Sequence, residues 1–445
     1  MHIKEIRIEN IRSFRGRKHT TILDLTRPDG KLAGWTVLAG RNGSGKTTFL
    51  KTIALAIAGF PTAASLLESF SNWIHQGAHF GSIDILIEPS KKYDHLTARK
   101  TYPSSIKAGL AWGKTNGPEP VMHVSGSVRT PVRSRLDLES GPWATNPQGW
   151  FVAGYGPCRR LGGSTLAFQQ LEGSTRFDQL KNLFREDASL LEGIDWLRAI
   201  HLRRLERRPG ASLLLKNIQK LLNDNLLPEG GRVQKVDSDG LWIRREGLSL
   251  PLQELSDGYR ITTALIIDLS RQLYACFGEF KLAKNRNGNW FAPYPGIVLI
   301  DEIENHLHIS WQQRIGFWLK EHFPNIQFIV TTHSPYICQA ADPNGLIRLP
   351  APGETLPARH VSGSMFSTIV NGSTDDAALT ELFGLDHTYS WRSERIRDQV
   401  AKLEAKVING RATAQDRREL RDFSELLPQT GTTKVETLLA GLAKA

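Results

Sequence analysis

The pattern of hydrophobic and polar positions predicts an alternation of buried strands and helices. Residues 35–39 form a short, mostly apolar run, and residues 48–58 follow it with apolar side chains at helical spacing. Two more apolar runs, at 296–300 and 326–330, have the composition of strands buried on both faces of a parallel sheet. The chain therefore predicts an α/β fold with a mostly parallel central sheet.

The segments around these runs predict smaller elements. Alternating residues at 83–87 and 96–102 predict a small antiparallel sheet. Residues 115–149 are rich in Gly, Pro, Ser and Asn, which predicts a connector. Apolar residues recur at helical spacing over 175–226, and the charged stretch 392–426 predicts one or two exposed helices.

A glycine-rich loop joins the first apolar run to its helix. Residues 40–47 read Gly-Arg-Asn-Gly-Ser-Gly-Lys-Thr and match G-x-x-x-x-G-K-[ST] at every fixed position. Glycines let several backbone N–H groups turn toward one anion, and the following helix adds its positive end. The alternative is a glycine-rich turn that binds nothing, but both flanks favour a nucleoside triphosphate site.

Each side chain of this loop has an expected role. Lys46 would place a positive charge at the β- and γ-phosphates, and the hydroxyl of Thr47 would ligate Mg²⁺. The residues expected to hold the nucleotide here are Asn42, Gly43, Ser44, Gly45, Lys46, Thr47 and Thr48.

Paired carboxylates follow the third apolar run. Asp301 and Glu302 come directly after residues 296–300, at the carboxyl end of the predicted sheet. Asp301 would hold the Mg²⁺ hydration shell, and Glu302 would polarise the attacking water. Ordinary surface acids at a strand end are the alternative, which the nearby phosphate loop disfavours.

Two polar turns complete the candidate chemistry. His333 ends the run at 326–330, on the same sheet edge as the carboxylates, where an imidazole could contact the γ-phosphate or order the water. Ser256, Asp257 and Gly258 precede an apolar helix and predict a second anion site. A plain helix N-cap is the alternative for that turn, and spacing alone favours it.

Composition narrows the class of protein. The 445 residues are 40% hydrophobic and 23% charged, as in soluble globular proteins. No apolar run reaches the ~18–20 residues that span a bilayer, so we expect no membrane contact. Three scattered cysteines favour a reducing cytoplasm. The net charge of +11, from 56 basic and 45 acidic side chains, permits nucleic-acid binding without requiring it.

The order of these segments resembles the ABC-type P-loop ATPases, in particular the soluble branch of SMC-like repair ATPases, RecF and the overcoming-lysogenization-defect family. The segments that carry the resemblance are the phosphate loop, Ser256-Asp257-Gly258, Asp301-Glu302 with the residues up to His308, the stretch 155–160, and Thr331-Thr332-His333-Ser334. Arg12-Ser13-Phe14 after the first strand also matches, which implies that Arg12 and Ser13 lie near the nucleotide.

The resemblance implies a head-to-head dimer, or a higher even-numbered oligomer, with ATP between subunits. Each nucleotide would touch the phosphate loop of one copy and Ser256-Asp257-Gly258 of the other. That turn departs from the usual Ser-Gly-Gly-Gln. The glutamine loop of the family has Gln169 and Gln170 as candidates by rough position only.

The expected regions are two halves of one ATPase head and two additions. They are 1–110, the N-terminal half; 111–250, an insertion with a loop and a helical lid; 251–345, the C-terminal half; and 346–445, a linker and a helical tail, in which 353–372 is a linker with strands. The basic run 201–208 could meet nucleic acid or be a solvated helix face, and Arg159 and Arg160 could reach phosphate or form salt bridges.

Two functions fit the resemblance. The first is a Mg²⁺-dependent ATPase that senses nucleic acid and controls a separately encoded effector nuclease, as expected for the stand-alone ATPases of Septu-type and retron-linked phage defence. The second is a DNA-repair clamp of the RecF kind, which acts without an effector. A transporter ATPase is disfavoured by the signature turn and the long insertion.

Overall fold

The computed structural model describes residues 1–16, 20–97, 102–125, 132–159, 175–187, 189–227 and 230–427. The chain divides into two compact units, Met1–Gly384 and Leu385–Ala445, and each is described by itself.

The strands of the described residues are β1 His2–Glu9, β2 Thr21–Asp24, β3 Gly34–Ala39, β4 Phe80–Glu88, β5 Ile106–Gly113, β6 Val121–Val124, β7 Val152–Tyr155, β8 Arg232–Asp237, β9 Gly240–Arg245, β10 Leu248–Pro251, β11 Ala283–Lys284, β12 Trp290–Phe291, β13 Gly296–Ile300, β14 Ile326–Thr332, β15 Leu346–Arg348 and β16 Arg359–His360. The helices are α1 Lys46–Ala58, α2 Phe60–Leu66, α3 Val132–Glu139, α4 Arg176–Phe184, α5 Leu191–Leu205, α6 Ala211–Leu222, α7 Asp257–Phe277, α8 Ile309–Gln312, α9 Ile315–His322, α10 Pro335–Cys338, α11 Gly363–Asn371, α12 Thr374–Ala378, α13 Trp391–Ile408 and α14 Ala414–Leu426.

A six-stranded sheet in the order β16-β15-β3-β14-β13-β7 forms the centre of the first unit. Its pairs are parallel except for β15 with β16. Every residue of β13 and β14 is buried, as expected for strands covered on both faces. The predicted mostly parallel sheet is confirmed, and the carboxyl ends of β3, β13 and β14 meet at one edge.

Alternate residues of the central strands face two different hydrophobic cores. Trp35, Val298 and Phe328 pack in the core that includes α5, α6 and α7. Ile297 and Ile329 pack on the opposite side, with α1 and the antiparallel sheet. This alternation follows from the two-residue period of a strand, and it fixes which side chains at the strand ends point toward α1.

A second sheet, in the order β2-β1-β4-β5-β6, is antiparallel. It confirms the predicted small antiparallel sheet. β4 pairs with β1 on one side and with β5, Ile106–Gly113, on the other, and residues 98–101 of the expected second strand lie outside the described residues. In β5, Ile106, Ala108, Leu110 and Trp112 bury one complete face.

The segment between the two halves of the head contains more than a helical insertion. Helices α4, α5 and α6 confirm the helical expectation for 175–226. However, β7 from this segment is an edge strand of the central sheet, and β8, β9 and β10 form a further antiparallel sheet. The expected connector 115–149 includes β6 and α3.

The region expected to be a linker with strands contains a helix as well as a strand. Residues 359–360 form β16, and residues 363–371 form α11. Met365, Phe366 and Ile369 lie at helical spacing and pack against the core, which explains why the helix forms.

The second unit confirms the expected helical tail over its described residues. Helices α13 and α14 pack on each other and are joined by a 2.6 Å ion pair between Lys406 and Asp416. Leu403 is buried between them, whereas Trp391 and Ile408 are largely exposed. No described helix has both the length and the apolar character needed to cross a membrane.

Candidate active site

The loop between β3 and α1 has the backbone geometry of an anion cradle. Gly43 and Gly45 have φ angles of 77° and 86°, in the left-handed region that favours glycine. Lys46 is the first residue of α1, and its ammonium donates to the carbonyls of Gly40 at 2.8 Å and Arg41 at 3.2 Å. The carbonyls of the loop therefore hold the Lys46 ammonium, and the 13-residue helix α1 begins at this lysine.

The turn after β1 lies against this loop. A Cβ atom at Gly45 would lie 2.6 Å from the Oγ of Ser13 and 3.1 Å from the ring of Phe14. Arg12 has a φ of 45°, and its guanidinium stacks 4.8 Å above the ring of Trp73. Ser13 and Gly45 are far apart in the sequence, which does not suggest that they approach each other. The close approach of Ser13 and Phe14 explains why position 45 needs a glycine.

Asp301 follows β13 and is fully buried. Its Oδ1 accepts a 2.5 Å hydrogen bond from the hydroxyl of Thr331, and its Oδ2 is buried without a hydrogen-bond partner. Burial raises the pKa of this carboxyl, and the nearby hydroxyl groups of Thr331 and Thr47 oppose the rise. An orphaned carboxylate oxygen next to a threonine hydroxyl is a donor set that suits Mg²⁺.

Glu302 is held by its backbone and by its side chain. Its N–H donates to the hydroxyl of Thr331 at 2.7 Å, and its carboxylate accepts from the amide of Asn305 at 2.7 Å. Its φ of 45° turns the chain sharply away from the strand direction. The two carboxylates also have different partners, Asn305 for Glu302 and Thr331 for Asp301.

His333 lies at the end of β14 and is fixed through Glu304. The carboxylate of Glu304 accepts from the hydroxyl of Thr332 at 2.8 Å and from the N–H of His333. Burial lowers the pKa of His333, and the positive charge of Lys46 lowers it further. The imidazole is thus neutral at neutral pH. Sequence reasoning missed Glu304 as an organising residue, although it stands two positions after Glu302.

The three segments also converge electrostatically. Burial lowers the pKa of Lys46, while the charges of Glu302, Glu304 and Asp301 raise it. One ammonium therefore sits among three carboxylates at the edge where β3, β13 and β14 end. Such a cluster can bind a polyanion with its counter-cation and can hold a water molecule beside a carboxylate.

The turn at the start of α7 is exposed. Ser256 and Asp257 are exposed, and the Ser256 hydroxyl makes no capping hydrogen bond, unlike a plain N-cap. Asp257 accepts from Arg260 at 2.6 Å. A Cβ atom at Gly258 would lie 2.6 Å from the carbonyl oxygen of His306. The turn thus contacts the loop that follows Glu302 and presents its polar groups outward.

The other basic, histidine and glutamine side chains singled out in the sequence have the following places in the structure. Arg159 bonds to backbone carbonyls rather than to carboxylates. His308 bonds to Ser310, and within the described chain no group of His, Cys, Asp and Glu forms a metal centre of three or more such residues. Arg160, Gln169 and Gln170 lie outside the described residues.

Two families of AAA domains match the two halves of this site. One, described as "AAA domain", matches residues 5–107, and the other, described as "AAA domain, putative AbiEii toxin, Type IV TA system", matches residues 172–339. The first match includes the phosphate loop, and the second includes Ser256, Asp301 and His333.

Both halves of the site thus match AAA domain models, which supports an ATPase domain.

Named relatives match parts of this domain. "Septu protein PtuA" of Bacillus mycoides is 26% identical over 337 residues, which are 75% of this chain and 38% of that protein. "Retron Ec83 probable ATPase" of Escherichia coli is 42% identical over 113 residues, which are 25% of this chain and 19% of that protein. The chain thus spans about two fifths or less of the length of these relatives.

Solved structures similar to the ATPase domain include SMC heads. An SMC head bound to the C-winged helix domain of ScpA covers 82% of this chain and 98% of its own, with a TM-score of 0.48 and 15% identity. The SMC head domain from Thermotoga maritima covers 82% and 100%, with a TM-score of 0.42 and 16% identity.

Proposed function

We propose that this protein hydrolyses ATP with Mg²⁺ and that pairs of copies form the complete site. The observation that supports this most strongly is the buried, unpartnered Oδ2 of Asp301 at the sheet edge that also carries Lys46 and Glu302. A buried carboxylate oxygen without a partner is costly unless a cation completes it.

Each residue of the site has a proposed task. The backbone of residues 42–48 and the ammonium of Lys46 bind the phosphates, and Thr47 and Asp301 hold the metal. Mg²⁺, when bound, neutralises charge that develops on the phosphates. Glu302 accepts the proton of the attacking water, with its carboxylate oriented by Asn305. His333, neutral at pH 7, orders that water or contacts the γ-phosphate.

The exposed Ser256 turn supports self-association. Ser256 and Asp257 are exposed at the start of α7, and Gly258 lies close to the carbonyl of His306, which follows Glu302 in the chain. A second copy placed head to head would bring this turn to the γ-phosphate. ATP would then join two copies, and hydrolysis would release them.

The basic run at the end of α5 supports contact with nucleic acid. Arg204, Arg207 and Arg208 are exposed, and one of them, Arg208, is paired with Glu206 at 3.2 Å. Exposed arginines of this kind can meet a phosphate backbone. Similarity to the Septu and retron relatives supports a role in anti-phage defence. Within that role we propose that the protein acts in the cytoplasm and controls a separately encoded effector nuclease.

A phosphate-release assay with and without Mg²⁺ tests the hydrolysis. A pull-down from cells at native expression, with nucleotide present, tests the partners. Recovery of a nuclease supports the defence role. Nucleotide-dependent binding of the purified chain to DNA ends or gaps, with no nuclease recovered, would instead favour a repair clamp.

A further inference from the structure

Arg159 makes five hydrogen bonds at or near residues 301–305, the stretch that carries Glu302 and that we call the catalytic loop. It is buried, with 4% of its surface exposed, and it follows β7 at the edge of the central sheet. Its guanidinium donates to backbone carbonyls, those of Gly156 at 3.0 Å, Asp301 at 2.8 Å, Glu302 at 2.9 Å, Ile303 at 3.2 Å and Asn305 at 3.3 Å.

Four of these five carbonyls belong to one short stretch, residues 301–305. That stretch leaves β13 and forms bends and turns rather than a helix or strand. A guanidinium has five N–H donors in a fixed plane and can reach several carbonyls at once. An ammonium has only three donors on one nitrogen atom and cannot reach all of them. Arg159 thus adds side-chain donors to carbonyls of a stretch that lies outside helix and strand.

The stretch needs this support because its backbone is unusual. Glu302 has a φ of 45°, which a residue with a side chain rarely adopts without help from its surroundings. Arg159 donates to the carbonyl of Glu302, and the hydroxyl of Thr331 accepts from its N–H. Hydrogen bonds therefore hold both backbone groups of this residue.

We propose that Arg159 is a positioning residue that holds Glu302 in the orientation from which it activates water. The proposal rests on the role of Glu302 proposed above. In this proposal Arg159 acts through its hydrogen bonds to the backbone of residues 301–305 and is not itself a nucleotide ligand. Its removal would let residues 301–305 relax, and the Glu302 carboxylate would lose its fixed place.

The charge of Arg159 adds to this effect. Burial lowers its pKa to about 10, and the neighbouring charges of Glu304, Asp301 and Glu302 oppose that shift. The guanidinium therefore stays protonated at neutral pH and keeps all its donors. It also places a fixed positive charge behind three carboxylates that would otherwise repel one another.

Arg176 offers a matched control. It is 2% exposed, burial lowers its pKa to about 10, and it donates to the carbonyls of Trp150 at 2.9 Å and Pro142 at 3.0 Å. It is thus a buried arginine with backbone partners that does not contact the catalytic loop. A substitution there reports the general cost of disturbing such a residue.

The test compares Arg159→Lys with Arg176→Lys in the full chain. Both variants should lower the melting temperature, because lysine offers fewer donors. Arg159→Lys should lower kcat about tenfold or more, with the calorimetric Kd for ATP changed less than about threefold. Arg176→Lys should leave kcat within about twofold. Equal kcat values for the two variants would overturn the proposal.

A second comparison uses the Glu302→Gln background. If Arg159 acts through Glu302, adding Arg159→Lys to Glu302→Gln should change the residual rate less than about twofold. The same fold-loss as in the wild-type background would show an independent role and overturn the proposal. Normal turnover by Glu302→Gln alone would instead refute the proposed base.

Hydrogen exchange of the peptide that covers residues 300–308 gives a readout without turnover. It should speed up in Arg159→Lys and stay unchanged in Arg176→Lys. Unchanged exchange in both variants would contradict the holding role.

Discussion

The hydroxyl of Thr331 joins the two acidic residues that begin the catalytic loop. It donates to the Oδ1 of Asp301 at 2.5 Å and accepts from the N–H of Glu302 at 2.7 Å. Thr331 belongs to β14 and the two acids follow β13, so one parallel strand fixes the end of its neighbour. Thr331 therefore holds the carboxylate of Asp301, our proposed metal ligand, and the backbone of Glu302, our proposed base.

Glu302→Gln should slow hydrolysis and leave ATP binding intact. The amide keeps the shape of the side chain and cannot take a proton, so kcat should fall by about 10²–10⁴. ATP should then accumulate on the protein and stabilise the paired form. Phosphate release and size-exclusion chromatography with ATP measure the two effects.

Glu304→Gln is the companion variant for that prediction. Glu304 accepts hydrogen bonds from Thr332 and His333, so its loss should disturb His333 without removing the proton acceptor. A smaller loss of kcat is expected than for Glu302→Gln. The opposite ranking would assign the base to Glu304.

Lys46→Ala should abolish nucleotide binding. The ammonium is the positive group enclosed by the phosphate loop, and its carbonyl partners would be left without a donor. Isothermal calorimetry with ATP and Mg²⁺ measures the change. Lys31→Ala, at an exposed lysine paired with Asp29 at 2.8 Å, controls for the loss of one positive charge and should bind normally. Unaltered binding by Lys46→Ala would refute the phosphate-loop assignment.

Asp301→Asn should stabilise the ligand-free protein while it removes the response to Mg²⁺ and nucleotide. The folded protein raises the pKa of Asp301. A raised pKa in the folded state means that the protonated, neutral carboxyl favours folding. This contribution to the free energy of unfolding is fully present at acid pH, and it is lost as pH rises through the pKa of Asp301 in the folded protein. The gain in melting temperature should reach about 2–4 °C near neutral pH and shrink toward acid pH.

Asp268→Asn is the matched control for that measurement. Asp268 is also buried, but its carboxylate is bonded by Tyr155 at 2.9 Å, Arg271 at 2.7 Å and Gln272 at 2.6 Å. Loss of a fully partnered charge should lower the melting temperature instead of raising it. Destabilisation of the ligand-free protein by Asp301→Asn would show that Asp301 is a structural acid rather than a metal ligand.

Ser256→Arg should preserve ATP binding by single copies and block turnover. The bulky cation would occupy the exposed turn that a second copy presents to the γ-phosphate. Calorimetry and phosphate release separate the two effects, and Ser249→Arg, at another exposed serine, should retain full activity. Full turnover by Ser256→Arg would exclude a shared site.

The sequence predicts the elements whose signals are local. Gly43, Gly45 and Lys46 lie in a motif with its own strand and helix, and Asp301 and His333 each end an apolar run. Parallel strands then bring these ends together, so the candidate cluster follows from patterns that span a few residues each.

Other features depend on partners that are distant in the sequence. Residues 152–155 join the central sheet through pairing with residues 297–300, and nothing within the short run specifies that neighbour. The strand at Ile106–Gly113 pairs with β4, and its place depends on the face that it buries against distant residues. Arg159 is informative only once the path of residues 301–305 is known, because its partners are backbone carbonyls.

A crystal structure with Mg²⁺ and a nonhydrolysable ATP analogue tests the central claim most directly. The account predicts that the phosphates lie in the loop of residues 40–47 and that Thr47 and Asp301 face the same metal ion. Ser256 of a second copy should approach the γ-phosphate. A bound metal remote from Asp301 would contradict the claim that these distant segments form one ATP site.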